Sequence, residues 1–154
     1  MALIEAHAAA VESVEADLVR EAGLPLSWHE VLVRLSRSDE SSMRMQELAK
    51  AVLLSKSGLT RLADRMEAAG LIERTACDSD RRGTWAVITP KGREALRNAT
   101  PSFLAAVDRH FAGHLSEAEI ESVASSLAKV TDAHDAESCS PADLTELAPA
   151  ERPA

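Results

Sequence analysis

Apolar side chains recur every three or four residues along most of the chain, which is the spacing of one helical face. Over residues 2–22 this stripe predicts a first helix that Gly23 ends, with these residues on one side: Ile4, His7, Val11, Val14 and Leu18. Ser27 and Glu30 have the spacing of a capping box, in which two side chains satisfy free amides at a helix start. A second helix is therefore predicted up to Arg37, with its buried side formed by Val31, Leu32 and Leu35.

Two more helices are predicted after a polar connector at residues 38–42. The first runs from about residue 44 to 52 and would bury Met45, Leu48, Ala49 and Val52. Ser55 is placed to cap the next helix, and Gly70 is placed to end it in a left-handed conformation. Its apolar positions follow the i, i+3, i+4, i+7 pattern and are Leu59, Leu62, Ala63 and Met66.

Residues 71–75 and 84–89 are rich in β-branched and apolar side chains, and the polar loop 78–83 lies between them, so they predict a β-hairpin. Thr89 and Pro90 then predict the start of a long helix to about residue 113, which Pro101 is expected to bend. Ser116 and Glu119 form a second capping box that opens a last helix. From residue 135 onward the chain is rich in Glu, Ser, Pro and Ala, and we expect a disordered tail.

The predicted fold is mainly α with a small β-hairpin, and the order helix, helix, strand, basic loop, strand is that of a winged helix-turn-helix. Aromatic residues are only 3% of the chain and hydrophobic residues 45%, which favours an aliphatic, helical core. The first and last helices carry apolar stripes that a winged domain is too small to cover. We therefore predict one domain at 1–134, in which 24–91 form the winged helix-turn-helix and 1–23 with 92–134 form a homodimerisation region.

Charge is segregated along the sequence. Residues 43–97 hold eleven Lys and Arg against seven Asp and Glu, although the whole chain has a formal net charge of −8. A uniformly solvated surface would not show this separation, and a local basic field attracts nucleic acid even in an acidic protein. The pattern predicts double-stranded DNA as the partner of this basic segment.

The second helix of a helix-turn-helix enters the major groove by its N-terminal half, where polar side chains reach base edges and phosphates. The predicted DNA-binding residues on this helix are Ser55, Lys56, Ser57, Thr60, Arg61 and Arg65. The alternative is an ordinary solvated helix face. In the hairpin loop, Arg81 and Arg82 could enter the minor groove, Asp80 could hold a neighbouring arginine or the loop amides, and Gly83 suits a positive φ. A turn kept soluble by its charge is the alternative there.

Four segments of the sequence resemble the MarR family of bacterial transcription regulators: LPLSWHEVLVRL (24–35), MQELAKAVLLSKSGLTRLADRMEAAGLIER (45–74), DSDRRG (78–83) and ITPKGREAL (88–96). The resemblance extends from residue 24 to about residue 130. It implies a homodimer with interlocking terminal helices that binds a pseudo-palindromic operator and is often released by a small, frequently phenolic ligand. Trp28 and His29 could line such a ligand site, although a buried Trp is more often plain core.

Other chemistry has weaker support. His110 and His114 are four residues apart, as in metal sites, but no third ligand has convincing spacing, so a structural or surface role is favoured and no metal or cofactor is expected. Cys77 and Cys139 cannot form a disulfide framework. No catalytic motif is recognisable, which argues against an enzyme. The N-terminus lacks the basic start of a signal peptide and no apolar run approaches a membrane span, so a cytoplasmic protein is expected.

Two functions are compatible with these patterns. The first is a dimeric, ligand-responsive transcriptional regulator, in the form of a repressor. The second is a winged-helix module that binds proteins and has no sequence-specific affinity for DNA.

Overall fold

The computed structural model describes residues 1–77 and 80–134, without the side chains of 77, 80–82 and 133–134. A first compact unit, Met1–Phe111, contains helices α1 (Ala2–Ala22), α2 (Leu26–Arg37), α3 (Met45–Ala51), α4 (Lys56–Ala68) and α5 (Pro90–His110) and strands β1 (Ser42–Arg44), β2 (Ile72–Cys77) and β3 (Asp80–Ile88). A second unit begins at Ala112 and contains helix α6 (Glu117–His134). The prediction of a mainly helical fold with a small sheet is confirmed, whereas the predicted tail lies outside the described residues.

Local capping signals in the sequence are confirmed at four helix ends. Gly23 has a φ of 65° and ends α1, and Gly70 follows α4 with a φ of 74°. Ser55 Oγ accepts a hydrogen bond from the Gly58 N–H at 3.1 Å at the start of α4. Before α6, Ser116 and Glu119 form the predicted reciprocal box, with the Ser116 N–H donating to Glu119 Oε2 at 2.8 Å. These signals work because each depends only on neighbouring residues.

The capping box predicted at Ser27 and Glu30 is wrong. Helix α2 begins at Leu26, one residue before Ser27, and its N-cap residue Pro25 provides no side-chain hydrogen bond. The Leu26 N–H donates instead to Glu15 Oε2 of α1 at 2.6 Å, so a carboxylate from another helix satisfies it. The Glu30 carboxyl is partly buried, and this burial raises its pKa.

The sheet has three antiparallel strands in the order β1-β3-β2, one strand more than the predicted hairpin. Three residues are too few to show the alternation of a strand, so the sequence predicts a connector and a helix start where β1 lies. Strand β3 begins at Asp80 rather than Thr84, so residues 80–83 belong to its backbone and not to a loop. The register shifts between Ala76 and Cys77, opposite the part of β3 that contains Gly83.

The core lies between α1, α2, the two short central helices, the sheet and α5. Its fully buried large side chains are Leu18, Leu32, Leu35, Leu48, Leu59, Met66, Ile72 and Val31. The predicted buried faces of α2 and α4 are therefore confirmed, and that of α3 is confirmed except for half-buried Met45. On α1 only Val14 and Leu18 of the predicted stripe are buried, whereas Ile4 is 66% exposed.

Helix α5 is continuous through Pro101 and ends at His110, three residues earlier than predicted. Thr89 caps it through a hydrogen bond that its Oγ1 accepts from the Gly92 N–H at 3.0 Å, and Pro90 occupies the first turn as predicted. A bend at Pro101 stays a prediction. Within residues 1–77 and 80–134, no helix has the length and apolar character that crossing a membrane requires.

Candidate nucleic-acid interface

Helix α4 has one buried and one polar face. Leu59, Leu62, Ala63 and Met66 are at most 4% exposed and attach the helix to the core. The polar side chains proposed from sequence are all exposed and share the other face, namely Ser55, Lys56, Ser57, Thr60, Arg61 and Arg65. A shallow depression on this face is lined by Gly58, Arg61, Asp64 and Arg65. Lys56 and Arg61 lie in the first two turns of the helix, where a major groove would be approached, and Arg65 lies in its last turn.

Hydroxyl groups at the start of α4 are arranged around its free amides. Ser55 Oγ lies 3.3 Å from Ser57 Oγ while also accepting from Gly58. Thr60 donates its hydroxyl hydrogen to the Lys56 carbonyl at 2.8 Å, so its Oγ1 retains acceptor capacity outward. The positive end of the helix and these hydroxyls together suit a phosphate or a base edge.

An ion-pair network joins α4 to strand β2, and sequence reasoning missed it. Arg74 donates to Glu67 Oε2 through Nη2 at 2.6 Å and through Nε at 3.0 Å, and its backbone N–H donates to Glu67 Oε1 at 3.1 Å. Its Nη1 also lies 2.7 Å from Asp64 Oδ1. These hydrogen bonds lower the pKa of Glu67 and raise that of Arg74. Arg74 therefore holds the hairpin against α4 instead of adding a free cation to its surface.

The C-terminal end of α4 is held to the start of α5 by hydrogen bonds. Thr89 Oγ1 donates to the Gly70 carbonyl at 2.7 Å, and the Thr89 N–H donates to the Leu71 carbonyl at 3.1 Å. Lys91 Nζ donates to the Ala69 carbonyl at 2.8 Å, which places a cation at the negative end of the helix. The segment ITPKG thus fixes where α4 ends, and Lys91 is another member of the basic segment with an internal partner.

The backbone of Arg81 and Arg82 lies within β3, so both residues belong to the hairpin as predicted. Their side chains, and that of Asp80, are outside the described residues, and so are residues 78 and 79. The roles assigned to Arg81, Arg82, Asp80 and Gly83 at the hairpin tip stay predictions.

His110 takes part in an ion cluster that joins α5 to α1. Its Nε2 lies 2.8 Å from Asp17 Oδ2, and Asp17, which is 6% exposed, also pairs with Arg20 at 2.6 Å and with Arg109. The hydrogen bond from His110, with help from Arg20 and Arg109, lowers the pKa of Asp17 to about 2. No group of three or more potential metal ligands occurs in the part of the chain that the structure describes.

His29 is buried between α2 and α5. It is 3% exposed, its ring stacks on Phe103 at a centroid distance of 4.4 Å, and its Nε2 has no hydrogen-bond partner. Burial lowers the pKa of His29 to about 4 because the charged ring cannot be solvated there. Trp28 is half-buried and packs against the core. A ligand-binding role for Trp28 and His29 stays a prediction.

We expect His29 to make stability depend on pH. The unfolded chain protonates this ring near pH 6.5, whereas the folded chain resists protonation down to about pH 4. The free energy of unfolding therefore has its full value above pH 6.5 and decreases by about 3 kcal/mol as the pH falls toward 4. Urea unfolding between pH 4 and 7.5 measures the free energy of unfolding of wild type and of His29→Phe. We expect this loss at low pH in wild type and not in His29→Phe. His7→Gln, at an exposed position, should keep the wild-type profile; a parallel loss in wild type and His29→Phe would contradict the assignment.

Helices α3 and α4, with strand β1 before them and the β2–β3 hairpin after them, define the winged helix-turn-helix class. Residues 22–83 match the family model described as MarR family. AbsC, a MarR family transcriptional regulator from Streptomyces coelicolor, is 34% identical, with a TM-score of 0.79 over 88% of this chain and 91% of AbsC. Sco3205, a MarR family regulator from the same organism solved in complex with DNA, is 31% identical, with a TM-score of 0.80 over 86% of this chain and 82% of that protein.

The transcriptional repressor MprA of Escherichia coli (strain K12) is 33% identical over 84 residues, which are 54% of this chain and 48% of MprA. The chain belongs to the MarR family, and the resemblance noted in the sequence is confirmed. Its relatives are transcriptional regulators, which supports the prediction that it is not an enzyme. The chain spans about half the length of the curated relatives it matches.

Proposed function

We propose that this protein is a sequence-specific DNA-binding transcriptional regulator, a ligand-responsive repressor that acts in the cytoplasm as a homodimer. The observation that carries the proposal is the exposed, capped and cationic face of α4, held by Arg74 on one side and by the start of α5 at its end. MprA is a repressor and Sco3205 has been solved with DNA, and both relationships support the same function.

Each part of this surface receives a role. Lys56, Ser57, Thr60 and Arg61 contact base edges in the major groove, with Arg65 one turn further along and Ser55 at a phosphate. Arg81 and Arg82 enter the adjacent minor groove, and Asp80 with Gly83 supports the hairpin tip. Recognition is thereby divided between the major and the minor groove, and only the side chains of α4 read individual bases directly.

Dimerisation is proposed because apolar side chains are exposed on both terminal helices. On α1, Leu3 and Ile4 are 64% and 66% exposed, and on α6, Val130 is 56% exposed. Exposed apolar surface of this kind is the usual material of an interface between identical chains. A two-fold dimer would place two recognition helices roughly 34 Å apart, one turn of DNA, and would match a pseudo-palindromic operator.

A labelled duplex taken from the DNA flanking its own gene should bind the full chain, with affinity that falls steeply as salt rises because phosphate contacts release counterions. Anisotropy titrations at several salt concentrations, with random duplex as competitor, measure both affinity and specificity.

Arg81→Ala with Arg82→Ala should weaken binding by about 2 kcal/mol; unchanged affinity would remove the hairpin from the interface. Absence of binding even at low salt would favour the protein-interaction module.

We further propose that a small aromatic or phenolic ligand binds beside Trp28 and His29. The Nε2 of buried His29 has no hydrogen-bond partner, and a phenolic hydroxyl, which can donate or accept, could satisfy it. Ligand binding would favour a dimer whose recognition helices no longer match the half-site spacing. A phenolic acid that raises the melting temperature of wild type should fail to do so with His29→Phe; an equal rise would place the ligand elsewhere.

A further inference from the structure

Arg44 and Trp85 form a pair at the junction between the helix-turn-helix and the hairpin. The antiparallel register of β1 and β3 places Arg44 directly opposite Trp85, and the Arg44 Cζ lies 5.4 Å from the centroid of the Trp85 ring. Both residues are half-buried. This geometry is that of a cation–π contact, with the guanidinium over the aromatic face.

The pair lies on the outer face of the sheet. Ala86 and Ile88 of β3 are at most 3% exposed and face the core, and successive side chains of a strand alternate between faces. Trp85 therefore points the other way, and on its other side it is opposite exposed Thr75 of β2. Its aromatic ring supports a cation at the surface instead of filling the core.

The position of Arg44 in the chain connects this pair to the DNA surface. Arg44 is the last residue of β1 and immediately precedes α3, the first helix of the helix-turn-helix. In such motifs the first helix crosses the phosphate backbone while the second enters the groove. Trp85 belongs to the strand that also carries Arg81 and Arg82. A cation at this junction lies between the two elements that approach DNA.

The chemistry of the pair suits a phosphate. An arginine guanidinium has five N–H donors, two of which a phosphate can accept side by side, and a cation–π contact uses none of them. The contact with the ring also restricts a long and otherwise mobile side chain before binding, which reduces the entropy lost on association. Thus the aromatic ring can strengthen a phosphate contact without touching DNA.

We propose that Arg44 contacts a DNA phosphate and that Trp85 is its positioning residue. This inference rests on the proposed DNA-binding function and adds a contact outside α4 and the hairpin tip. Because a phosphate carries no sequence information, the contact should contribute equally to the operator and to random duplex.

The test compares salt dependence and affinity for the labelled duplex described above. Arg44→Ala should weaken binding about tenfold and reduce the slope of log K against log salt by about 0.9, the value for one lost phosphate contact. Arg44→Lys should keep the slope with lower affinity. Trp85→Leu should lower affinity with an unchanged slope, and Trp85→Phe, which retains an aromatic face, should restore most of it. Arg37→Ala, an exposed arginine of α2, is the matched control and should change neither quantity.

The outcomes separate this inference from the proposed function. If wild type binds with a steep salt slope and Arg44→Ala shows the same slope and affinity, the phosphate contact is overturned while the DNA-binding function stands. If Trp85→Leu and Trp85→Phe weaken binding equally, the positioning role of the ring is overturned. Failure of wild type to bind any duplex would overturn both. Melting temperatures of all variants show whether a loss comes from unfolding, and Arg44→Lys keeps the test decisive if Trp85→Leu does not fold.

Discussion

Replacing Gly92 by alanine is expected to lower the free energy of unfolding by about 3 kcal/mol, since overlap in a packed interior forces backbone shifts. A Cβ added at Gly92 would overlap the Leu71 carbonyl oxygen and would lie 3.0 Å from Ile88 Cγ1. The Leu71 carbonyl cannot easily withdraw, because it accepts a hydrogen bond from the Thr89 N–H at 3.1 Å. The glycine is therefore what allows the first turn of α5 to close on the end of the recognition helix.

The direction of this effect distinguishes tertiary contact from helix propensity. In a free helix, Gly→Ala stabilises by about 1 kcal/mol, so propensity alone predicts a more stable variant. Gly23→Ala is the matched control, because no atom lies within 4 Å of its added Cβ and only its φ of 65° opposes alanine. We expect the control to lose about 1 kcal/mol by that strain. Urea unfolding measures both, and a Gly92→Ala chain as stable as wild type would disprove the close contact.

Removing Lys56 and Arg61 together is expected to weaken operator binding roughly 100-fold, about 3 kcal/mol, while leaving the fold intact. Both side chains are exposed on the polar face of α4, so their loss removes no packing. The loss should be larger for the operator than for random duplex, because contacts to base edges carry the sequence preference. Anisotropy titrations of Lys56→Ala with Arg61→Ala on both duplexes measure the ratio.

Arg93→Ala with Arg97→Ala is the control for charge. These two exposed arginines lie on α5, outside the proposed surface, and their removal changes the net charge by the same amount. We expect a small, sequence-independent loss in this control, from the weaker overall field. Equal losses in the two double variants would mean that α4 contributes only general attraction and does not read bases.

Some cations of the basic segment at residues 43–97 have partners within the protein, which the sequence alone does not show. Residues 43–97 contain eleven Lys and Arg. Arg74 is paired with Asp64 and Glu67, and Lys91 is bonded to the Ala69 carbonyl. Both cations therefore stabilise the winged helix-turn-helix from within. The signal for the Arg74 network in the sequence is the acidic pair Asp64 and Glu67, ten and seven residues before Arg74. Their spacing alone does not show which strand packs against them.

The sequence by itself determined the features that arise within one turn or one face of an element. The buried faces of α2 and α4, the caps at Ser55, Thr89 and Ser116, and the exposed cations of α4 follow from periodicity and local hydrogen bonding. The tertiary structure decided whatever joins distant positions: strand β1 on β3, the Glu15 carboxylate at the start of α2, the Arg74 network, and the need for glycine at residue 92. The physical reason is that a local pattern specifies which side of an element is apolar, whereas the partner of a polar group or a close backbone contact depends on how the chain returns in space.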